Sequence, residues 1–154
     1  AFAVKGVAEM MQEIDLDYDV CCVAMGTGGT TAGCIAASNG KAVIGFSSLK
    51  GEGNLSTEVQ RLVHEYSALE NTTPPYNWII NNDYHFGGYG KVTDELLAFA
   101  RQFEKEHNIL LDPVYTSKMM FGVFDLIKKD YFARGTRIIA IHTGGLQGWR
   151  KYNS

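Results

Sequence analysis

Four short apolar runs alternate with helical stretches along this chain, and that alternation limits the possible folds more than any other feature. The runs lie at 19–25 (DVCCVAM), 42–46, 76–80 (YNWII) and 137–142. Each is of strand length. Between them come stretches with helical spacing. Val7, Met10, Met11 and Ile14 fall at i, i+3, i+4, i+7 and predict a helix over 4–14. Small residues predict a helix over 31–38, with Asn39-Gly40 as its stop. Thr57-Glu-Val-Gln60 has capping-box form, and Val59, Leu62, Val63 and Tyr66 mark one face of the helix it would open. Thr93 is placed to cap a helix whose first turn carries Asp94 and Glu95, with Leu96, Leu97, Ala100 and Phe103 on its buried side. Asp112-Pro113 breaks the chain before a last helix over 119–129, for which Ser117 is the expected cap. Strands and helices alternating at these lengths predict an α/β fold: an open, mostly parallel sheet with helices on both faces.

In such a sheet, ligands bind outside the carboxyl ends of the strands. Three unusual loops follow predicted strands, at 26–30, 81–90 and 143–145. The first lies within Ala24-Met-Gly-Thr-Gly-Gly-Thr-Thr-Ala-Gly33. A dinucleotide fingerprint is disfavoured: Thr31 stands where the third glycine belongs, and Phe46 and Ser47 end the next strand where an acidic residue is expected. A Walker loop is excluded, since no Gly-Lys-Ser/Thr occurs. Two readings stay open. One is a tight structural turn. The other is a phosphate cup, in which amides at a helix N-terminus face an anion, Gly26, Gly28 and Gly29 allow close approach, and Thr27, Thr30 and Thr31 add hydroxyls.

The net charge of −3 argues against nucleic acid or an anionic membrane as a charge-driven partner. No apolar run approaches the roughly 20 residues of a membrane span, and no signal peptide opens the chain. Cys21, Cys22 and Cys34 lack disulfide or zinc spacing and read as buried small side chains. That usage, with no leader, predicts a cytoplasmic protein. The four histidines show no metal-ligand spacing, and no GxSxG nucleophile motif occurs. Tyr84-His-Phe-Gly-Gly-Tyr-Gly90 suggests rings near a ligand, against a packed surface loop as the plainer alternative. The first helical pattern starts at once without an initiator Met, so the 154 residues read as a single α/β domain belonging to something longer.

Several blocks in order resemble the carboxyl-terminal half of 1-aminocyclopropane-1-carboxylate deaminases and D-cysteine desulfhydrases, within the tryptophan-synthase-β-like (fold type II) pyridoxal-phosphate enzymes. They are AVKG at 3–6, GTGGTTAG at 26–33, GYG at 88–90 and LDPVYTSKMMFGVFDLI at 111–127, with IAIHTGG at 139–145. The resemblance implies pyridoxal phosphate as cofactor, with its phosphate in Gly26, Thr27, Gly28, Gly29 and Thr30. It implies a small amino acid as substrate, released as ammonia and a 2-oxo acid. Tyr89 and Tyr115 match the family's two active-site tyrosines, and such a role requires a lowered phenol pKa. Thr116 stands where ring-opening deaminases place a glutamate facing the pyridine nitrogen. That favours D-cysteine desulfhydrase-like β-elimination, with ring opening as the alternative. The Schiff-base lysine of the family lies near its amino terminus in an asparagine-lysine context absent here. Most of the nine lysines sit where an ammonium stays solvated, and Lys118 is expected to point away from the face Thr116 uses. The expected partners are therefore the missing amino-terminal part of the same enzyme and a second copy in a homodimer. A non-catalytic module that binds a phosphate-bearing ligand remains the reading from another class.

Overall fold

The computed structural model describes residues 2–26, 28–51 and 53–142. Nine elements follow one another there: α1 (Phe2–Gln12), β1 (Val20–Met25), α2 (Gly29–Ala36), β2 (Ala42–Ser47), α3 (Leu55–Leu69), β3 (Trp78–Asn81), α4 (Asp94–His107), α5 (Thr116–Lys128) and β4 (Ile138–Ile141). The strands form one sheet in the order β3-β2-β1-β4. Every pairing is parallel: Val20 lies opposite Ala42 and Ile138, and Val43 opposite Trp78.

β1 and β2 are buried on both faces, so they read as continuous apolar runs rather than alternating ones. Successive side chains still divide between two cores. Cys21, Val23, Met25 and Val43 face α1, α2 and α3, where Val4, Met11, Ile35, Val59 and Val63 close the layer. Val20, Cys22, Ala24, Ile44 and Phe46 face α5, which supplies Met119, Val123 and Leu126. α4 lies against α5 through an aromatic stack that includes Phe99 with Phe121 and Phe103 with Phe124. Helices therefore cover both faces, as expected.

Three local expectations are corrected. The buried stripe of α1 is Val4, Ala8 and Met11, while Met10 is exposed. Gly33 lets α1 and α2 cross closely, since a Cβ there would lie 2.5 Å from that of Val7. Thr57 is not a cap: α3 begins at Leu55 after Asn54, so the Thr57–Gln60 pattern lies inside the helix. Ser117 is buried within α5 and is not its cap; the carboxylate of Asp112 takes the Thr116 amide that opens the helix instead. The Thr93 cap is as expected, its hydroxyl accepting from the Leu96 amide.

Because the sheet is parallel and its register nearly flush, with Met25 opposite Ser47 and Phe46 opposite Asn81, the segments after the strands leave from one edge. The 143–145 loop lies outside the described residues. No described helix is long and apolar enough to cross a membrane, and no described cluster of three His, Cys, Asp or Glu residues could hold a metal ion.

Candidate active site

The glycine loop turns the chain from β1 into α2. Gly28 adopts φ 88°, a left-handed conformation that favours glycine, and no side chain caps the helix it precedes. The first intrahelical bond runs from the Ala32 amide to the Gly28 carbonyl. The amides of Gly29, Thr30 and Thr31 precede it and belong to the first turn, whose amides have no partner within the helix. The Thr31 hydroxyl is buried and has no hydrogen-bond partner among the described residues. Thr27 lies outside the described residues, and Thr30 is half-buried.

The second wall comes from the segment before α5. The Asp112 carboxylate accepts from the amides of Val114, Tyr115 and Thr116 at 2.7–3.0 Å, and from the Thr116 hydroxyl. The Thr116 oxygen in turn accepts from the Asp112 amide at 2.8 Å. Asp112 and Thr116 are both almost wholly buried. Asp-Pro is thus a helix-start signal as well as a breaker: Asp caps, and Pro113 occupies a position whose missing amide is harmless. The sequence reading used only the breaking half of that signal.

This turn presents Tyr115. Its hydroxyl donates to that of Tyr89 at 3.3 Å, with ring centroids 6.2 Å apart. A Cβ added to Gly26 would lie 3.9 Å from the Tyr115 ring, so the glycine loop and the tyrosine pair adjoin. Tyr89 arrives on the loop after β3. Phe86, Gly87, Gly88 and Gly90 of that loop all have positive φ. Burial, then the Tyr89 hydroxyl, push the Tyr115 phenol up to about 12. The expected lowering is absent. Tyr115 is a neutral phenol here, suited to donating a proton or hydrogen bond rather than attacking as a phenolate.

Sequence reasoning did not foresee the burial of Lys118. It is 2% exposed and its Nζ donates to the Gly88 carbonyl at 3.0 Å. Burial lowers its pKa to about 8, against a smaller opposing pull from Asp112. A lysine three residues after a motif tyrosine, on the same helix face, was the available signal.

Gly26, Gly28, Gly29, Thr30, Tyr89, Tyr115 and Thr116 therefore lie on the loops and the helix start that the carboxyl edge brings together. No family model matches the chain. A Pyrococcus furiosus protein provisionally named 1-aminocyclopropane-1-carboxylate deaminase is 33% identical over 153 residues, covering 95% of this chain and 45% of that protein. The 1-aminocyclopropane-1-carboxylate deaminase of Bradyrhizobium sp. strain BTAi1 is 32% identical over 147 residues, or 91% of this chain and 43% of that one. A crystal structure of an ACC deaminase homologue superposes with a TM-score of 0.85 at 30% identity, covering 98% of this chain and 47% of the other. The chain spans less than half the length of these relatives.

Proposed function

The chain belongs, along nearly its whole length, to the 1-aminocyclopropane-1-carboxylate deaminase family, and from that premise we propose that it carries the phosphate cup and the tyrosine pair of a pyridoxal-phosphate enzyme that deaminates a small amino acid. The described residues fit such a cofactor. The turn into α2 has no capping side chain, positions 26, 28 and 29 carry no side chain, and the buried Thr31 hydroxyl lacks a partner among the described residues. The amides of Gly28 to Thr31 would hold the phosphate. The cofactor, when bound, supplies the electron sink that makes charge at the substrate carbon tolerable.

The observation that carries the reading is the Tyr115–Tyr89 hydroxyl pair beside Gly26. Tyr115 holds a proton at its hydroxyl and can deliver it to a carbon or heteroatom seated between the two loops. Tyr89, 63% exposed, is free to exchange protons with solvent. The Thr116 hydroxyl donates its hydrogen bond to the Asp112 carboxylate and accepts from the Asp112 amide, so toward a ring nitrogen it has one lone pair to offer, with a carboxylate behind it. That arrangement supports a protonated nitrogen better than an isolated threonine would. It weakens the case against ring opening, and the names of the relatives favour ring opening. We therefore place opening of 1-aminocyclopropane-1-carboxylate ahead of β-elimination from D-cysteine. β-Elimination stands as the second reading because no carboxylate occupies position 116 itself.

The protein in its full length is assayed with both substrates. The expected result is ammonia and a 2-oxo acid from the cyclopropane, with Tyr115→Phe lowering kcat by roughly 100-fold or more. Sulfide from D-cysteine with no ring opening would establish the second reading. Full activity in Tyr115→Phe would remove the basis of both. Borohydride reduction of this chain with pyridoxal phosphate is expected to label no lysine stoichiometrically, Lys118 included, because its Nζ is buried against Gly88.

A further inference from the structure

Lys118 stands out among the buried side chains of the protein. It is the largest of the fully buried residues, and taking an ammonium out of water is costly unless it is well bonded. Its Nζ reaches 30 residues back in sequence to the carbonyl of Gly88, which also accepts from the Lys91 amide at 3.0 Å. Gly88 immediately precedes Tyr89. The loop around it has a flexible composition, with four positive-φ residues between 86 and 90. Tyr89 itself is largely exposed, so side-chain packing does little to fix it. Lys118 comes three residues after Tyr115 on α5, and residues at that spacing share a helix face. One turn of α5 thus presents the first tyrosine and grips the backbone next to the second.

We infer that Lys118 is a positioning residue, which sets the separation of the Tyr89 and Tyr115 hydroxyls by fixing the Gly88 carbonyl against α5. This deepens the proposed function and rests on it for its catalytic meaning; the geometric claim stands apart. The hydrogen bond of the lysine goes to the Gly88 backbone. Its effect on Tyr115 passes through Tyr89. Two other anchors tie the loop to α5, Tyr84 bonded to Asp125 at 2.7 Å and the Phe86 ring packed edge-on against Phe121 at 4.9 Å; both lie before the glycines and do not fix Tyr89 across them.

The test uses the protein with tyrosine rings labelled at Cζ, near neutral pH and without cofactor. Lys118→Met removes the donor and keeps an unbranched buried stem. The expected result is loss of the Tyr89–Tyr115 ring contacts by NMR and at least tenfold faster exchange of the Gly88 and Lys91 amides. Amides of α5 and the Tyr84 resonance stay unchanged. The Tyr115 Cζ resonance shifts on Lys118→Met in the native background and does not shift when Tyr89→Phe is already present. A merely structural loosening of α5 would move Tyr115 in both backgrounds, and that result overturns the inference. So does an unchanged tyrosine contact in Lys118→Met. Should that variant not fold, Lys118→Gln, too short to reach Gly88, is read by the same criteria. None of these readouts involves turnover. Failure to deaminate would strike the proposed function and leave the positioning role in place. An unmoved Tyr89 would do the reverse.

Discussion

Single residues settle the chemistry of this site, and they do so through their partners more than through their identity. Asp112 shows it best. Three amides and a hydroxyl converge on a carboxylate that is 1% exposed. Removing it leaves those donors without an acceptor inside the protein and opens the first turn of α5. Asp112→Ala is expected to lower unfolding stability by about 2 kcal/mol in urea, the upper range for a lost helix cap. It should also loosen Tyr115, whose amide is one of the three. A loss below about 0.5 kcal/mol would mean that water replaces the carboxylate. Tyr115 and Tyr89 are singled out together by the resemblance of their motifs to the deaminase family. The neutral state of Tyr115 was not legible there, because it arises from burial and from a hydroxyl 26 residues away.

Elements owe their placement to a few glycines at helix crossings. Gly122 lies where α5 meets the sheet: a Cβ there would come within 2.7 Å of Phe46 Cε1 and 2.9 Å of Tyr84 Cδ2. Both neighbours are ring atoms in a packed layer. Gly122→Ala should therefore destabilise by about 1–2 kcal/mol, overpacking outweighing the better helix propensity of alanine. Gly6 on α1 is the control. It is exposed, and nothing lies within 4 Å of its missing Cβ. Gly6→Ala should stabilise by about 0.5–1 kcal/mol. Thermal or urea unfolding of both variants checks the opposite signs. Helix existence was readable from spacing, and so were the buried sides of α3 and α4 and the Thr93 cap; the face of α1 was not, since Met10 is exposed and Ala8 buried. The starts of α3 and α5 were misplaced by one turn or less, since Thr57 and Ser117 look like caps in sequence but neither offers its side chain to a first-turn amide.

At the scale of the molecule, the buried lysine links folding to pH. The Lys118 pKa is lowered to about 8 in the fold, against about 10.5 for an exposed lysine. Below pH 8 both the folded and unfolded states hold the proton, and the fold bears the full penalty of burying charge. Between pH 8 and 10.5 the unfolded state binds more protons, so stability rises with pH. Other groups whose pKa the fold moves, such as the Cys22 thiol that burial pushes up to about 12, add their own pH dependence. They are common to the native chain and Lys118→Met, so the difference between the two isolates the lysine. That difference should grow in favour of the native chain by on the order of 3 kcal/mol from pH 8 to 10.5. A flat difference would show that Lys118 keeps an ordinary pKa.

Spacing and motifs along the chain carried the layered α/β fold, the buried sides of α3 and α4 and the glycine turn into α2. Each depends on local periodicity or on a motif contiguous in the chain. Contacts made only in the folded chain put Lys118 in the interior, keep Tyr115 a neutral phenol and direct the Thr116 hydroxyl hydrogen bond to Asp112. The first two depend on desolvation and on partners 26 to 30 residues distant. The third depends on a cap geometry that Asp-Pro permits and only the docking of α5 on the sheet selects. Burial and hydrogen bonding are set by what the chain brings together in space, and spacing along the chain carries little record of that.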